Sequence, residues 1–212
     1  MDVFWLGHAC FRLKGRRITV VIDPYPPSLG LVLPKLQADI LLLSHRDPNH
    51  AYSQAVAGEC FSIEGPGEYE IKDVIVRGIP SFHDSNQGAE RGRNTVYVVN
   101  IDDVRVCHLG DLGHLLSADE VERLGAVDLL AVPVGGGTTL SASQAAELVS
   151  AIGPRFVVPM HYALPGLSSD LEPLDKFLKE MGHEHVEPVG KLTLGSAGSS
   201  EETRLVVLAP AL

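Results

Sequence analysis

The sequence predicts a protein of the mixed α/β class, and two observations carry this prediction. The first half consists mainly of short β-like runs separated by Gly-containing and polar turns, whereas in the second half helices alternate with apolar strands. The chain has 212 residues, 45% of them hydrophobic, so a sizeable buried core is expected. The predicted strands of the first half lie at 3–6, 10–13, 18–22, 39–44, 59–63, 73–80, 94–101 and 104–108.

Capping signals predict where the helices of the second half begin. Ser117 and Ser141 are each followed three residues later by Glu or Gln, which is the pattern of a capping box. Apolar strands are predicted next to these helices, and together they give the alternation that is typical of α/β structure. The remaining predicted segments are strands at 127–133 and 155–160, a helix at 171–181, a short helix after His50, and a flexible hairpin or linker at Gly195–Glu202 before a last strand.

Composition and charge limit the classes of function. With 17 basic and 27 acidic residues the formal net charge is −10, which makes nucleic acid an unlikely partner. The three cysteines, Cys10, Cys60 and Cys107, are widely spaced in apolar surroundings, and we interpret them as reduced residues of a cytoplasmic protein. The sequence has neither a membrane-spanning apolar stretch nor a signal-peptide pattern, so no membrane association is expected.

A loop rich in Pro and Gly begins at Asp23. Its prolines disfavour regular strand pairing, and the loop is interpreted as either a pocket wall or a plain connection. The Tyr and Leu side chains within 24–37 are expected to be exposed, where they could contact a substrate or a second subunit. A homo-oligomer is therefore left open.

Four strand-like runs end on residues that commonly bind metals: His45, His83, Asp111 and His161. A strand delivers its last side chain rigidly to the rim of a sheet, so ligands placed there can converge in one cleft. Taken singly, Asp111 is equally a turn aspartate, and each histidine is more often a structural residue. The recurrence predicts a metal site.

The densest group of ligand-type residues is the motif SHRDPNH at 44–50. It places His45, Asp47, Asn49 and His50 within six residues, directly after a buried strand. Such a density can surround one or two cations. The alternative is a turn in which Asp47 and Asn49 bond backbone amides.

A set of motifs running through almost the whole chain resembles the metallo-β-lactamase superfamily, in particular a branch of small bacterial proteins similar to the ascorbate-phosphate lactonases. The resemblance implies a single domain over residues 1–212, folded as a four-layer αββα sandwich with a metal cleft at one edge. The motifs are WLGHACF at 5–11, SHRDPNH at 44–50, His83, GDLGH at 110–114, VPVGGG at 132–137 and PMHY at 159–162.

Carried over by position, the resemblance implies a divalent metal cofactor of one or two ions. His45 and His83 resemble ligands of a first ion, His50 and His161 resemble ligands of a second, and Asp111 resembles the carboxylate that bridges them. His8 matches a histidine that lies near the cleft in this branch.

The chain departs from the family where the usual H-x-H-x-D-H reads H-x-D-x-N-H. Asp47 would give the first ion two histidines and a carboxylate, a set that suits zinc, with iron or manganese as alternatives. Asn49 offers only a neutral carbonyl oxygen, so the second site is predicted to be weaker.

The implied activity is hydrolysis of a small ester, lactone or phosphoester, with an anionic group on the substrate. The metal would lower the pKa of water and polarise the substrate, while Asp47 or Asp111 would hold and deprotonate that water. The residues predicted to contact substrate or to support the ligands are His8, Arg46, Asn49, Arg91, Arg93, His108 and His114.

A competing interpretation is a noncatalytic protein that retains the fold and binds a small anion or a partner protein. It is motivated by the two substitutions at Asp47 and Asn49. A nuclease is disfavoured, because the chain is acidic and lacks an added RNA-binding domain.

Overall fold

The computed structural model describes residues 1–195 and 202–212, and in these ranges strands and helices follow one another in the predicted order. The strands are β1 (Asp2–Trp5), β2 (Phe11–Lys14), β3 (Thr19–Ile22), β4 (Ile40–Leu43), β5 (Phe61–Glu64), β6 (Gly67–Ile71), β7 (Val74–Phe82), β8 (Arg93–Ile101), β9 (Val104–His108), β10 (Leu129–Pro133), β11 (Phe156–Met160), β12 (Leu192–Thr193) and β13 (Arg204–Leu205). The helices are α1 (Ala118–Leu124), α2 (Ala142–Ile152) and α3 (Leu174–Glu180).

The strands form two mixed sheets. The first has the order β12-β1-β2-β3-β4-β5, in which the predicted antiparallel meander β1-β2-β3 continues into the parallel strands β4 and β5. The second has the order β13-β11-β10-β9-β8-β7-β6 and changes from antiparallel to parallel at β9. Parallel neighbours need a crossover, and α1 and α2 supply it before β10 and β11.

The main hydrophobic core lies between the two sheets. Trp5 and Phe11 from the first sheet and Val99 from the second share one buried cluster, which Leu148 of α2 and Phe177 of α3 also join. None of the helices in the described ranges is both long and apolar enough to cross a membrane. The predicted α/β architecture, with two facing sheets, is therefore confirmed.

A second hydrophobic cluster covers the outer face of the first sheet. Leu41 and Leu43 of β4 pack there against Tyr25, Leu29 and Leu36 from the loop that follows β3. The expectation that Tyr and Leu side chains of this loop are exposed is wrong for these residues, because they are buried in the cluster. The loop is a structural layer in place of an outer α-helix on this side.

The helix boundaries follow their capping chemistry. Ser117 and Ser141 form the predicted capping boxes, with each serine side chain accepting the backbone N–H three residues on. The predicted helix at 171–181 begins only at Leu174, after Pro173. The short helix predicted after His50 is a 3₁₀ turn at Ser53–Ala55. The predicted linker at Gly195–Glu202 lies largely outside the described residues.

Tyr97 of β8 ties the two sheets together beside the carboxyl end of β4. Its buried hydroxyl donates to the carbonyl oxygen of Leu43 at 2.9 Å and accepts the backbone N–H of Gly65 at 3.0 Å. These partners belong to the first sheet and to the turn after β5. The contact fixes the spacing of the sheets at the end where His45 follows.

We expect Tyr97→Phe to lower the free energy of unfolding by about 1–3 kcal/mol, because it leaves buried backbone groups without their partner. Urea denaturation followed by circular dichroism measures this change. Tyr69→Phe is the matched control, since the Tyr69 hydroxyl makes only an exposed 3.3 Å contact with Pro66. Equal stability of the two variants would show that the Tyr97 hydroxyl does not tie the sheets.

Candidate metal centre

Asp111 is the centre of a buried group of imidazoles. Its side chain is only 4% exposed. Carboxylate oxygen Oδ2 lies 3.2 Å from Nε2 of His50, 3.3 Å from that of His83, 3.4 Å from that of His161 and 3.9 Å from that of His45. Residues from four parts of the chain thus meet around one carboxylate.

Strand ends bring these residues together, as the sequence predicts. His83 and His161 directly follow β7 and β11, while His45 and Asp111 lie two and three residues beyond β4 and β9. β4 belongs to the first sheet and the other three strands to the second, so the centre lies where the two sheets meet at one edge. His161 adopts a positive φ of 53°, a turn conformation that ends the strand at this point.

The ligand-type atoms fall into two groups. His45, His83 and Asp111 form the first group, and the atoms they offer lie within 4.8 Å of one another. The second group consists of His8, His50 and His161, which meet the same distance limit. We refer to these sets as the Asp111 group and the three-histidine group.

The polar atoms of the Asp111 group fit a divalent cation. Nε2 of His45, Nε2 of His83 and Oδ1 of Asp111 are buried and have no hydrogen-bond partner among the described residues. Buried polar atoms without partners are costly and rare, and two imidazoles with a carboxylate are a donor set that zinc, iron and manganese accept. A bound cation would satisfy all three atoms.

His8 joins the three-histidine group directly, a closer role than the sequence assigned to it. Its Nε2 lies 2.9 Å from Nε2 of His50, and its carbonyl oxygen accepts the backbone N–H of His161 at 3.0 Å and the indole N–H of Trp5 at 2.9 Å. Gly7 and His8 have positive φ values of 89° and 52°. This tight turn after β1 points the imidazole into the centre.

Asp47 and Asn49 lie outside both groups. Oδ1 of Asp47 accepts the backbone N–H of Asn49 at 2.8 Å, and the Asp47 carbonyl oxygen accepts the N–H of His50 at 2.9 Å. This is the turn interpretation of the motif, because the short loop folds the Asp47 carboxylate back onto its own backbone. The three-histidine group therefore contains His8 where the resemblance implied a weakly binding Asn49.

Asp23 is a site residue that the sequence reasoning missed. It is fully buried, and its carboxylate accepts the backbone N–H of Ser44 at 2.7 Å and the Ser44 hydroxyl at 2.6 Å. The same hydroxyl lies 2.9 Å from Nδ1 of His45, and Asp23 lies 3.5 Å from Nδ1 of His50. One carboxylate thus supports a ligand in each group. The signal was present, since Asp23 directly follows an apolar strand, as His83 and His161 do.

The Ser44 hydroxyl also defines the tautomer of His45. Because it donates its proton to Asp23, it can only accept from the Nδ1–H of His45, which leaves the lone pair on Nε2. Burial first, and then the charge of nearby His50, lower the pKa of His45. The imidazole is therefore neutral near pH 7, the form that binds a metal.

Buried amide and imidazole groups hold the loop that carries Asp111. Asn94 accepts the backbone N–H of Asp111 at 3.0 Å and donates to the carbonyl oxygen of Leu109 at 2.9 Å. His108 accepts the N–H of Gly110 through Nδ1 and contacts the carbonyl oxygen of Ala9 through Nε2.

His108 therefore acts on the backbone of the site and belongs to neither ligand group. His114 has a similar place, because its Nε2 accepts the backbone N–H of Phe82 at 3.3 Å, next to His83. Both histidines thus contact backbone atoms beside the ligand-type residues, and their role in supporting the ligands stays a prediction.

The buried carboxylate and imidazoles of the centre shift one another's pKa values. Burial raises the pKa of Asp111, but His161 and His50 hold it well below its ordinary value. Burial lowers the pKa of His50, yet Asp111 and Asp23 raise it to about 10. Burial lowers the pKa of His161 to about 4. Without a cation the centre is thus an anionic carboxylate beside one protonated imidazole, and a metal that takes the place of that proton releases it.

An open cleft of about 590 Å³ lies beside the Asp111 group. His45, His83 and Asp47 line it on the side of the centre. Basic side chains line another part of the wall, and their contact with a substrate stays a prediction. They are Arg46, Arg91 and Arg93.

The structure has two facing mixed sheets and a centre of histidine and aspartate residues at their common edge. This combination is typical of the metallo-β-lactamase fold, and the sequence comparison identifies the same family. Residues 2–161 match the beta-lactamase superfamily domain. This span exceeds half of the 212 residues. The chain belongs to the beta-lactamase superfamily, and the predicted recognition is confirmed.

Particular relatives narrow the comparison. A UPF0173 protein of Pyrococcus furiosus is 32% identical over 204 residues, covering 85% of this chain and 90% of the relative. A UPF0173 metal-dependent hydrolase of Pyrococcus horikoshii is 29% identical over 206 residues, covering 81% and 89%. These relatives are archaeal, and neither name mentions a lactone, so the lactonase likeness stays a prediction.

A solved structure gives the same picture. A Thermotoga maritima protein, assigned as a zinc-dependent hydrolase of the metallo-β-lactamase superfamily, is 34% identical. The match covers 98% of this chain and 97% of that protein, with a TM-score of 0.79. The predicted metallo-β-lactamase fold of two sheets and outer helices is therefore confirmed, with the loop after β3 in place of an α-helical layer on the first sheet.

We expect Asp23→Asn to weaken zinc binding by about 10- to 100-fold, because the carboxylate that supports His45 and His50 loses its charge. Competition with a chromogenic chelator measures the affinity. Asp39→Asn is the matched control, since Asp39 also accepts a backbone N–H in the first sheet, from Thr19. Unchanged zinc affinity in Asp23→Asn would contradict a supporting role for Asp23.

Proposed function

We propose that this protein is a metal-dependent hydrolase that cleaves a small ester, lactone or phosphoester in the cleft beside the Asp111 group. The observation that carries the proposal is the set of buried, unpartnered ligand atoms around Asp111, together with a cleft of about 590 Å³ that His45 and His83 of the same group line. The ligand atoms are suited to binding a metal ion, and the cleft beside them is suited to binding a substrate. The metal-dependent hydrolases among its relatives support the same activity.

The donor atoms favour zinc, with manganese or iron as alternatives. Three imidazoles in one group and two imidazoles with a carboxylate in the other are sets that zinc accepts, and Asp111 lies between them. Two ions are compatible with these groups. A cation held here would lower the pKa of water and polarise a carbonyl or phosphoryl oxygen of the substrate.

Asp47 is the residue that we propose to accept the proton of the attacking water. It lines the cleft beside His45 and His83 and is only partly buried, so water can reach it. Asp111 is a weaker proton acceptor, because its pKa is held well below the ordinary value by His161 and His50 against the effect of burial. We assign Asp111 to ligation and Asp47 to proton transfer.

The cleft wall supports a substrate with an anionic group. Arg46, Arg91 and Arg93 place positive charge in the wall of a chain whose net charge is −10. A phosphorylated lactone or ester meets this description. The free cysteines Cys10 and Cys107, both buried, support a location in the reducing cytoplasm.

The structure gives less support to the competing proposal of a noncatalytic binding protein. It depended on Asp47 and Asn49 as defective ligands, and neither residue belongs to the two groups of ligand atoms. This absence favours the hydrolase proposal, in which the substituted positions are not required as ligands.

We expect removal of the metal to abolish hydrolysis and to lower the melting temperature, and zinc to restore both. At a free zinc concentration of 100 times Kd, binding adds about 2.7 kcal/mol to the free energy of unfolding. Asp111→Asn should lower kcat/KM at least roughly 100-fold together with zinc content. Elemental analysis, thermal melting and a panel of esters, lactones and phosphoesters measure these effects.

Asp119→Asn is the control for Asp111→Asn, because Asp119 lies in the exposed first turn of α1. Hydrolysis that persists at the full rate after the metal has been removed would refute the proposal. So would a wild-type protein that binds no metal after incubation with zinc, manganese and iron.

The Asp47→Asn variant should show whether Asp47 accepts a proton from the attacking water or binds the metal. We expect kcat to fall by about 10²- to 10⁴-fold, since a general base is lost, while zinc content stays that of the wild type. Elemental analysis and steady-state kinetics on the same preparation give both values. A loss of zinc in this variant would instead make Asp47 a ligand, as the family resemblance implied.

A further inference from the structure

The segment between His83 and β8 is built around a single carboxylate. The Asp84 residue is only 7% exposed, and its carboxylate accepts backbone N–H groups along the loop. A carboxylate that accepts several amide protons fixes the backbone of a loop strongly. The backbone N–H donors, with their distances to the carboxylate, are those of Asn86 at 2.8 Å, Gly88 at 2.8 Å, Glu90 at 3.1 Å and Arg91 at 2.8 Å.

The two ends of this loop are joined to each other. The backbone N–H of His83 donates to the carbonyl oxygen of Gly92 at 3.1 Å, and the N–H of Gly92 donates to that of Gly88 at 3.0 Å. His83 begins the loop as a member of the Asp111 group, and Arg91 lies near its end. The loop therefore holds the backbone of Arg91 at a fixed separation from that of His83.

The arginines that line the cleft differ in their partners. Nε of Arg46 lies 3.8 Å from a carboxylate oxygen of Glu64, and its side chain is 90% exposed. Within 1–195 and 202–212, neither Arg91 nor Arg93 forms an ion pair. Their charges are available to a ligand.

Arg91 lies on the wall of the same cleft that His83 and His45 line. A substrate that reaches the Asp111 group also reaches this charge.

We infer that the loop at 84–92 selects the substrate: Arg91 binds an anionic group of the molecule being cleaved, and Asp84 is the positioning residue that holds Arg91 relative to His83. This inference rests on the proposed hydrolase function and narrows its substrate class. The preferred substrate is an ester or lactone that carries a carboxylate or phosphate near the scissile bond. A neutral ester with the same scissile bond is a poorer substrate.

A matched pair of esters tests the inference on the zinc-loaded protein. Mono-4-nitrophenyl succinate carries a carboxylate, whereas 4-nitrophenyl butyrate has a neutral chain and the same leaving group. We expect Arg91→Gln to raise KM at least tenfold for the succinate ester, with kcat for both esters and KM for the butyrate ester within twofold of the wild type. Arg16→Gln, an exposed arginine on the turn after β2, is the control.

The positioning role of Asp84 needs a separate readout. We expect Asp84→Asn to raise KM for the succinate ester at least fivefold, to spare the butyrate ester and to retain wild-type zinc content. In the double variant with Arg91→Gln, the increase in KM should not exceed that of Arg91→Gln alone, because Asp84 acts through Arg91. Additive effects, or equal losses on both esters, would overturn the positioning role.

Direct binding separates this inference from the hydrolase proposal. Inorganic phosphate is titrated into the zinc-loaded wild type and Arg91→Gln by calorimetry, without turnover. At least tenfold weaker binding in the variant supports the anion site even if neither ester is hydrolysed, an outcome that would count only against the proposed activity. Equal phosphate affinities, or an unchanged preference between the two esters in Arg91→Gln, would overturn the role of Arg91.

Discussion

The rest of the structure depends on the burial of one carboxylate, that of Asp111, among imidazoles at the edge shared by two sheets. Burying an isolated carboxylate costs free energy, and here four histidines offset that cost. Their Nε2 atoms lie 3.2 to 3.9 Å from Oδ2 of Asp111. Nε2 of His45 and Nε2 of His83 are buried without hydrogen-bond partners among the described residues, and a divalent cation would satisfy both. The fold therefore holds a centre whose buried donor atoms fit a metal ion.

The centre is supported by polar groups that belong to the sheets themselves. Asp23, directly after β3, accepts hydrogen bonds from Ser44, and the Ser44 hydroxyl in turn contacts His45. Asn94 of β8 accepts the backbone N–H of Asp111. Tyr97, three residues further along β8, bonds the end of β4 across the core. Correct pairing of β3 with β4 and of β8 with β9 is thus a condition for correct ligand geometry. Stability and function share these contacts, because the same strands provide both.

The altered motif after β4 is accompanied by a group of ligand-type residues that differs from the set implied by the family resemblance. Asp47 turns back onto the amide of Asn49 and faces the cleft, while His8 from the turn after β1 stands in the three-histidine group. In the proposed mechanism Asp47 accepts a proton, while His8, which is 42 positions from His50 in the sequence, stands beside the His50 imidazole. The loop at 84–92 begins directly after His83, so the inferred anion-binding residue Arg91 lies on the wall of the same cleft.

Local sequence determined much of this protein. Apolar runs that end in His or Asp gave the strand ends at His45, His83, Asp111 and His161, and serine capping boxes gave the starts of α1 and α2, because these signals lie within a few residues of one another. Tertiary structure alone decided that Asp23 lies beside residues of both ligand groups, that His8 joins the three-histidine group, and that Tyr25, Leu29 and Leu36 of the loop after β3 are buried. Each of these depends on which strands become neighbours and on how a turn directs a side chain, and the pairing of distant segments leaves no periodic trace in the sequence.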